Sequence, residues 1–529
     1  MKINKIKIQN IKSNAWKSWA LLLLLFPLVF TAHAQDTIKV QNHLIDNQIK
    51  NQIFKYPIVY TTPTIKDFTF TEVSYEHQQN EFARKQIANE INTYRFAAQG
   101  YFTTKSKWKL FGDLVIKKIL EKNLGFVLSD DRAEEQEIIA PHYFYVPRKA
   151  DWDNQVYALS GGFSKDITNH LSVAVKANYG AEKFSRTLDA RSQIINRNLG
   201  AELQIGYQIS QNHKAFVLGS YAENQKDFNY TYNNTSLNYE AYPETYLRFN
   251  GGYGRILNYF KSSGSGYLYQ DLVDKIGLGY TMRNKNSIFT ALYYSQNSNN
   301  TFYTNSLDLT ENERMKIKTK SNHAELFVFH KWNKKEIQST LQFDQSEARN
   351  FDKQSNGYNY TNSLNKINWT TSIAKRTVSK IDYLFGLNML YQQNEYDDIL
   401  AAAHIELNSL NTGIFGSKDF AFQKSKLNTT VSFNMYFPLP SKLEYYDTSG
   451  GTNARFFDEV IIHDYAVNTT NYFAPALRLE YSYPVKNNKT VVFFTNLKEK
   501  IALKKQTDYP VSINTNTTYW VQMGVQLNY

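Results

Sequence analysis

The sequence predicts an all-β protein, a transmembrane antiparallel meandering β-barrel of about 18 strands, within roughly 16–20. Three observations predict it. An export segment opens the chain, long stretches alternate apolar and polar residues at a period of two, and short polar connections alternate with long ones.

The export segment comes first. Lys2, Lys5, Lys7, Lys12 and Lys17 form a basic region, the apolar run from Trp19 to Phe30 follows, and Ala32-His33-Ala34 has the small-x-small pattern of a signal-peptidase site. The apolar run is shorter than the roughly 18–20 residues of a membrane-spanning helix. Residues 1–34 are therefore expected to be a signal peptide, cut between Ala34 and Gln35. The cut removes five Lys and no acidic residue, lowering the formal charge from +12 to +7. The basic residues that remain are scattered rather than gathered on one element, so no nucleic-acid partner is expected. The chain has no Cys, which excludes disulfides, thiol nucleophiles and Cys-held metals, as well as the acylated Cys of a lipoprotein. Mean hydropathy is −0.52, too polar for a helical membrane protein, yet aromatic residues reach 15%, with 39 Tyr. A barrel reconciles the two figures, because only alternate strand residues meet lipid and Tyr suits the membrane interfaces.

The alternation carries most weight. Tyr519, Val521, Met523, Val525, Leu527 and Tyr529 share one parity, and Thr518, Trp520, Gln522, Gly524, Gln526 and Asn528 the other. Side chains alternate across a strand, so this segment has one apolar and one mostly polar or small face. An aromatic-ended closing strand of this kind resembles the signal by which the barrel-assembly machinery recognises its clients, although that signal usually ends in Phe. The same pattern recurs at Leu171–Tyr179, Leu199–Ile209, Ile381–Tyr391 and Leu427–Phe437. Each run is near the ~9–11 residues of a tilted membrane strand, longer than the ~5–6 usual in soluble sheets.

Connections then set the strand count. Short polar turns are expected near 103–107, 164–170, 210–214, 283–286, 333–335, 375–380, 412–423 and 486–489. Longer links alternate with them near 119–153, 185–197, 297–319, 347–364, 392–400 and 439–471. The phase agrees throughout if 222–271 is one external excursion and Ile65–Tyr75 is the opening strand. Residues 35–64 are then a short periplasmic arm, and 65–529 form the barrel. Tyr246–Ile256 is the stretch that most strains this count. A solvated external loop is the simpler reading of 222–271, with folding into the lumen as its alternative.

Candidate chemistry is sparse. His404 and Glu406 share a strand face, and His323 and His330 flank another strand. A lumen His beside a carboxylate is ordinarily a hydrogen-bonded wall residue, and no His-Glu-x-x-His spacing occurs. Asp397-Asp398, Asp130-Asp131 and Glu134-Glu135 read as solvated loop charge. The glycines of Gly251-Gly252-Tyr253-Gly254 and Gly277-Leu278-Gly279 lack the strand–helix setting of a phosphate loop. No catalytic residue, metal site or cofactor is expected. Tyr230, Tyr232, Tyr239, Tyr242 and Tyr246 form a candidate loop platform for a glycan or other small solute, and Tyr358 and Tyr360 lie in another loop. Anchoring at the membrane interface is the commoner role for such residues.

From the Ala32-His33-Ala34 site through its Tyr- and Asn-rich hairpins to the Tyr519–Tyr529 strand, the chain resembles the outer-membrane barrel proteins of Gram-negative bacteria grouped as domains of unknown function. That resemblance implies outer-membrane lipid as surroundings and signal-dependent export. The chain resembles the energy-coupled receptor barrels less, since those have ~22 strands and a plug domain. The leading functional expectation is a pore for small solutes lined by Gln204, Gln208, Asn388, Asn434, Gln522 and Gln526. The rivals are a plugged receptor, adhesin or structural barrel and, more distantly, a membrane-embedded hydrolase using Asp397 or His404.

Overall fold

The computed structural model describes residues 52, 54–61, 67–132, 142–252, 256–257, 266–304, 312–377, 380–445, 455–485, 489–505 and 517–529. Ala32, Ala34 and Gln35, at the expected cleavage site, lie outside them, as do Glu134 and Glu135.

In chain order the strands are β1 (Phe68–Asn80), β2 (Glu90–Thr103), β3 (Lys109–Leu124), β4 (Tyr143–Tyr145), β5 (Ala150–Asp166), β6 (Leu171–Arg186), β7 (Arg191–Ser210), β8 (His213–Thr231), β9 (Arg248–Asn250), β10 (Ile256–Leu257), β11 (Tyr267–Arg283), β12 (Ser287–Tyr303), β13 (Glu313–Trp332), β14 (Lys335–Asp352), β15 (Gly357–Arg376), β16 (Ile381–Asp398), β17 (Ala403–Ala421), β18 (Lys426–Pro438), β19 (Lys442–Tyr445), β20 (Thr470–Pro484), β21 (Thr490–Lys505) and β22 (Thr517–Asn528). Eighteen of them form a closed antiparallel barrel, shut where β1 pairs with β22. The rest are β19, a short extension paired with the start of β17, and β4, β9 and β10, which make a separate three-stranded sheet.

Alternation sorts the wall as expected. Leu199, Leu203, Ile205 and Tyr207 of β7 point outward and are exposed, as are Phe385 of β16, Phe433 of β18 and Met523 and Val525 of β22. Residues of the opposite parity face the lumen. Glycines on the inner face admit neighbouring rings: a Cβ on Gly279 would lie 2.1 Å from the Phe216 ring one strand away.

Short turns (104–108, 167–170, 211–212, 284–286, 333–334, 377–380, 422–425 and 485–489) gather at one end, beside the start of β1 and the end of β22. The remaining connections, every long one among them, lie at the other end. The excursion expected at 222–271 is single but narrower, 232–266, because β8 and β11 run further than their apolar residues indicate. The described residues of 246–256 add no barrel strand. Instead, β9 pairs with β4 and β10 inside the long-loop end. The turn expected near 412–423 sits at 422–425, and the link expected at 347–364 shrinks to 353–356. Strands of 12–20 residues exceed the expected length. Along β16 the outward residues pass from Phe385, Leu387, Met389 and Tyr391 to Gln393, Glu395 and Asp397, so the strand continues past the lipid band as a polar collar.

Candidate functional site

The lumen is filled at two levels. At the short-turn end, residues 54–61 lie within the barrel, with Pro57 opening a 3-10 turn over Pro57–Tyr60, a position that suits its missing N–H. Phe54, Tyr56, Ile58, Val59 and Tyr60 are buried against Phe68, Tyr101, Phe111, Phe216, Leu218, Ile288, Leu292 and Phe327 of the wall. Three inward lysines grip the backbone of this arm. Lys109 Nζ donates to Tyr60 O at 2.7 Å, Lys176 Nζ to Phe54 O at 3.3 Å, and Lys214 Nζ to Ile58 O at 3.4 Å and Thr61 Oγ1 at 2.6 Å. Gln204 Oε1 accepts the Ile58 N–H at 3.2 Å. Glu325, almost fully buried, accepts from Gln52 Nε2 at 2.7 Å and pairs with Lys55 Nζ at 2.5 Å. The described part of the 35–64 arm therefore packs inside the wall. Apolar side chains gain burial there, and the carbonyls of Phe54, Ile58 and Tyr60 and the Ile58 N–H meet polar partners, as buried backbone groups require.

At the long-loop end a larger core closes the barrel. Phe126, Val127, Leu128, β4, Leu247, Phe249, Phe456, Val460, Ile461 and Tyr465 pack on Trp152, Phe184, Ile194, Phe228, Tyr230, Tyr267, Phe302, Met315, Tyr360, Tyr396 and Ile405 of the wall. Phe144 stacks on Phe228 at 4.6 Å between ring centroids, and Phe249 on Phe302 at 4.9 Å. A π-helical turn (Phe457–Ile461) running into helix α1 (Ile462–Asn468) supplies the last of these side chains. The loop is anchored at Gly251, whose carbonyl accepts from Asn350 Nδ2 at 3.0 Å. At Gly252 a Cβ would fall 2.2 Å from Asp398 Oδ2, so only glycine fits unmoved. Burial pushes the Tyr143 phenol up to about 12 and lowers the Arg248 guanidinium from its ordinary value. Burial also acts to lower Arg455, but its pairing with Glu459 and Glu244 outweighs this and raises it.

Between the two levels the inner wall is charged and partly open. Arg95 pairs with Glu72, Lys275 with Glu202, and His323 Nδ1 meets Asp344 Oδ1 at 2.5 Å. Asp344 faces inward yet stays 44% exposed, so solvent reaches this belt.

Each candidate from the sequence has a definite place. Gln204, Gln208, Asn388, Asn434, Gln522 and Gln526 have inward parity, but Gln204 is covered by the arm instead of lining an open channel. Tyr519, Met523, Val525 and Tyr529 are exposed on the outer surface, on the parity they share with Val521 and Leu527. The tyrosine platform is not gathered. Tyr230 and Tyr246 are buried, Tyr232 donates its hydroxyl to Thr245 O at 2.6 Å, and only Tyr239 and Tyr242 are exposed. Inward folding of the loop draws the first three into its packing. Tyr358 is exposed and Tyr360 buried. His404 and Glu406 lie on the outer face of the polar collar, not in the lumen. His404 Nδ1 bonds Asp397 Oδ1 at 2.8 Å, and Glu395, Asp397 and His404 can each bring a ligand atom within 4.8 Å of the others. Asp398 is fully buried, and the Asp130 side chain is only 7% exposed and paired with Lys226 Nζ at 2.5 Å, so neither is solvated loop charge. His323 faces the lumen, and His330 sits at an exposed strand end beside Ser287.

Residues 57–529 match the model of a family of unknown function, DUF6850. The chain belongs to that family. No protein with a curated description matches it. Solved structures similar to this DUF6850 chain are Gram-negative outer-membrane proteins. They include BauA, the ferric preacinetobactin receptor of Acinetobacter baumannii (10% identity, 88% of this chain and 80% of that one, TM-score 0.40). The outer-membrane transporter YddB of Escherichia coli (6%, 88% and 81%, 0.39) and the FrpB iron transporter of Neisseria meningitidis (7%, 89% and 83%, 0.38) are others. At these identities and scores the likeness carries no argument about ligand or mechanism.

The gripping lysines Lys109, Lys176 and Lys214 were not among the candidates. Their signal is a lysine of inward parity near the short-turn end of three strands, together with the aromatic-rich run Phe54–Tyr60 just ahead of β1.

Proposed function

We propose that this protein is an outer-membrane transporter barrel that rests closed, a plugged barrel instead of a passive pore. The observation that carries the reading is the double closure: an arm held in the lumen at one end and an aromatic core of inward loops at the other. The charged belt between them gives an internal polar space that a solute would cross once either closure moved. In this reading residues 1–34 direct export and are removed, the Tyr519–Tyr529 strand serves barrel assembly, and the 65–529 barrel sits in outer-membrane lipid. The short turns and the arm face the periplasm and the long loops face outside, as is general for such barrels. His404, Asp397 and Glu406 on the outer collar lie away from this route, which fits transport better than catalysis.

Single-channel recording of the refolded 35–529 chain in planar bilayers tests it. The expected result is a heat-modifiable, correctly folded barrel that is electrically silent. Stable ohmic steps from the unmodified chain would refute the closed resting state and restore the open pore.

A further inference from the structure

An open basin of about 560 Å³ lies at the long-loop end, lined by Lys85, Phe126, Pro147, Arg148, Lys149, Glu244, Thr245 and Glu459. Every lining residue comes from connections between strands, not from the outward face of the wall. Its charges are unbalanced. Glu244 and Glu459 are both engaged by one guanidinium, with Arg455 Nε 2.7 Å from Glu459 Oε1 and Nη2 on Glu244 Oε1. Lys85, Arg148 and Lys149 form no ion pair among the described residues, although Asp464 accepts the backbone N–H of Lys85 at 2.6 Å. Two further guanidiniums lie buried at strand ends beside the basin. Arg186 donates to the carbonyls of Leu188, Ala190 and Arg148, and Arg248 to those of Pro243 and Tyr246. Those hydrogen bonds satisfy N–H groups without themselves balancing the charge, because carbonyl oxygens carry none. Glu240 acts on Arg248 and Asp189 on Arg186, Asp189 being paired with Arg191.

We propose that this basin binds a soluble, multivalent oxyanion, a small molecule bearing two or more carboxylate or phosphate groups, as the first docking site for solute at the closed mouth. The proposal rests on the closed-transporter reading only for the word solute; the binding itself does not depend on it. The volume falls within the ~300–1,000 Å³ usual for small-molecule sites. Arg148 supplies a planar donor fork matched to such oxygens and Lys85 and Lys149 supply point charges. The walls are part apolar, through Phe126 and Pro147, which reduces competition from water. Docking on the closure itself would also couple occupancy to the loops that must move for passage, since Phe126 belongs to the closing core.

The test is calorimetric titration of the refolded 35–529 chain in lipopolysaccharide-free micelles with inorganic pyrophosphate and with citrate. Saturable one-site binding of at least one probe is expected. Arg148→Gln with Lys149→Gln should weaken it about tenfold or more, through the lost attraction in a partly desolvated site. The charge-retaining pair Arg148→Lys with Lys149→Arg should lose clearly less than the charge-removing pair, since the charge stays and only the fork moves, and Lys424→Gln, in a turn at the opposite end, should change nothing. Glu244→Gln gives the opposite sign and should tighten binding several-fold. Absence of saturable binding of either probe, or equal affinity in the charge-removing pair, overturns the proposal. So does abolition of probe binding by lipopolysaccharide at equal phosphate concentration, which would give the basin to a lipid headgroup. A barrel that conducts yet binds the anion would sink only the closed-transporter reading. A silent barrel that binds neither probe would sink only this one.

Discussion

The two closures fill the same lumen by different physics. At the long-loop end most contacts are between side chains: Phe144 and Phe249 of the loops stack on Phe228 and Phe302 of the wall, Phe456 packs on Tyr145, and the backbone of β4 is tied to β9. That end is a small protein core set in the mouth of a barrel. At the short-turn end one segment of about eight residues carries the closure, and much of the grip falls on its backbone. Lys109, Lys176 and Lys214 reach carbonyl oxygens, and Gln204 takes an N–H. A lysine–carbonyl bond contributes modestly and exchanges readily for water, whereas an aromatic core opens only by losing its packing as a unit. The difference teaches that a plug built on backbone contacts can leave without unfolding its surroundings, and a plug built on rings cannot.

The absence of cysteine makes a single introduced thiol an unambiguous reporter of each closure. Val146→Cys reports the loop core and Val59→Cys the arm, both positions being buried. When opening is fast relative to labelling, the maleimide rate follows the open population. The largest effect is expected from Phe144→Ala, which removes a ring packed on Phe228, Phe249 and Tyr267. A Phe→Ala change in a core costs about 3–5 kcal/mol, so labelling of Val146→Cys should rise by roughly two to three orders of magnitude. Labelling of Val59→Cys should not move. If both reporters accelerate together, the closures form one cooperative unit and the contrast between them fails.

Ile58→Ala comes next. Ile58 is fully buried in the arm's apolar seat, and Ile→Ala changes cost about 2–5 kcal/mol. The arm has fewer neighbours to collapse into the gap, but it can leave the site, which caps the effect near the low end. Val59→Cys should label roughly 30-fold faster, with the barrel's heat modifiability unchanged. Loss of the folded barrel would show instead that the arm is part of the wall's own stability.

The wall was legible in the sequence because lipid enforces a rule on alternate residues. Leu199, Leu203, Ile205 and Tyr207 announce both a strand and its outer face. Strand ends were less legible, since above the lipid band both faces are polar. Gln393, Glu395 and Asp397 follow Tyr391 with no change of backbone but with the hydrophobic signal gone, so β16 reads as a loop seven residues before it ends. The same loss of signal reads His404 as a lumen residue, whereas its pairing with Asp397 puts it outside. The closures were least legible. Phe144, Phe249 and Phe456 are far apart in the chain, and nothing periodic links a loop aromatic to the ring it meets. Tyr230, Tyr232 and Tyr246 carried a signal, a cluster of aromatics in a long connection, but clustering alone does not separate an exposed platform from a buried core. The arm's Phe54–Tyr60 run was visible as composition, and its destination depended on lysines of three other strands.

Lys176→Met gives the smallest expected effect and the sharpest test of the backbone-grip idea. Lys176 Nζ donates one 3.3 Å bond to Phe54 O, at a half-buried position where water can replace the lost donor. Methionine keeps most of the stem's packing and removes only the ammonium. A hydrogen bond from a charged group is worth about 1.5–3 kcal/mol net, and the length and water access of this one put it at the low end, so labelling of Val59→Cys should rise only about tenfold. Lys214→Met, which also loses the bonds to Thr61 and Ser172, should exceed it. If Lys176→Met and Lys214→Met are both without effect while Ile58→Ala releases the arm, then the arm is a hydrophobic plug like the loop core, only smaller. If instead the lysine variants release it and Ile58→Ala does not, the backbone grip alone holds the gate, and an unrelated peptide of similar length could occupy the same seat.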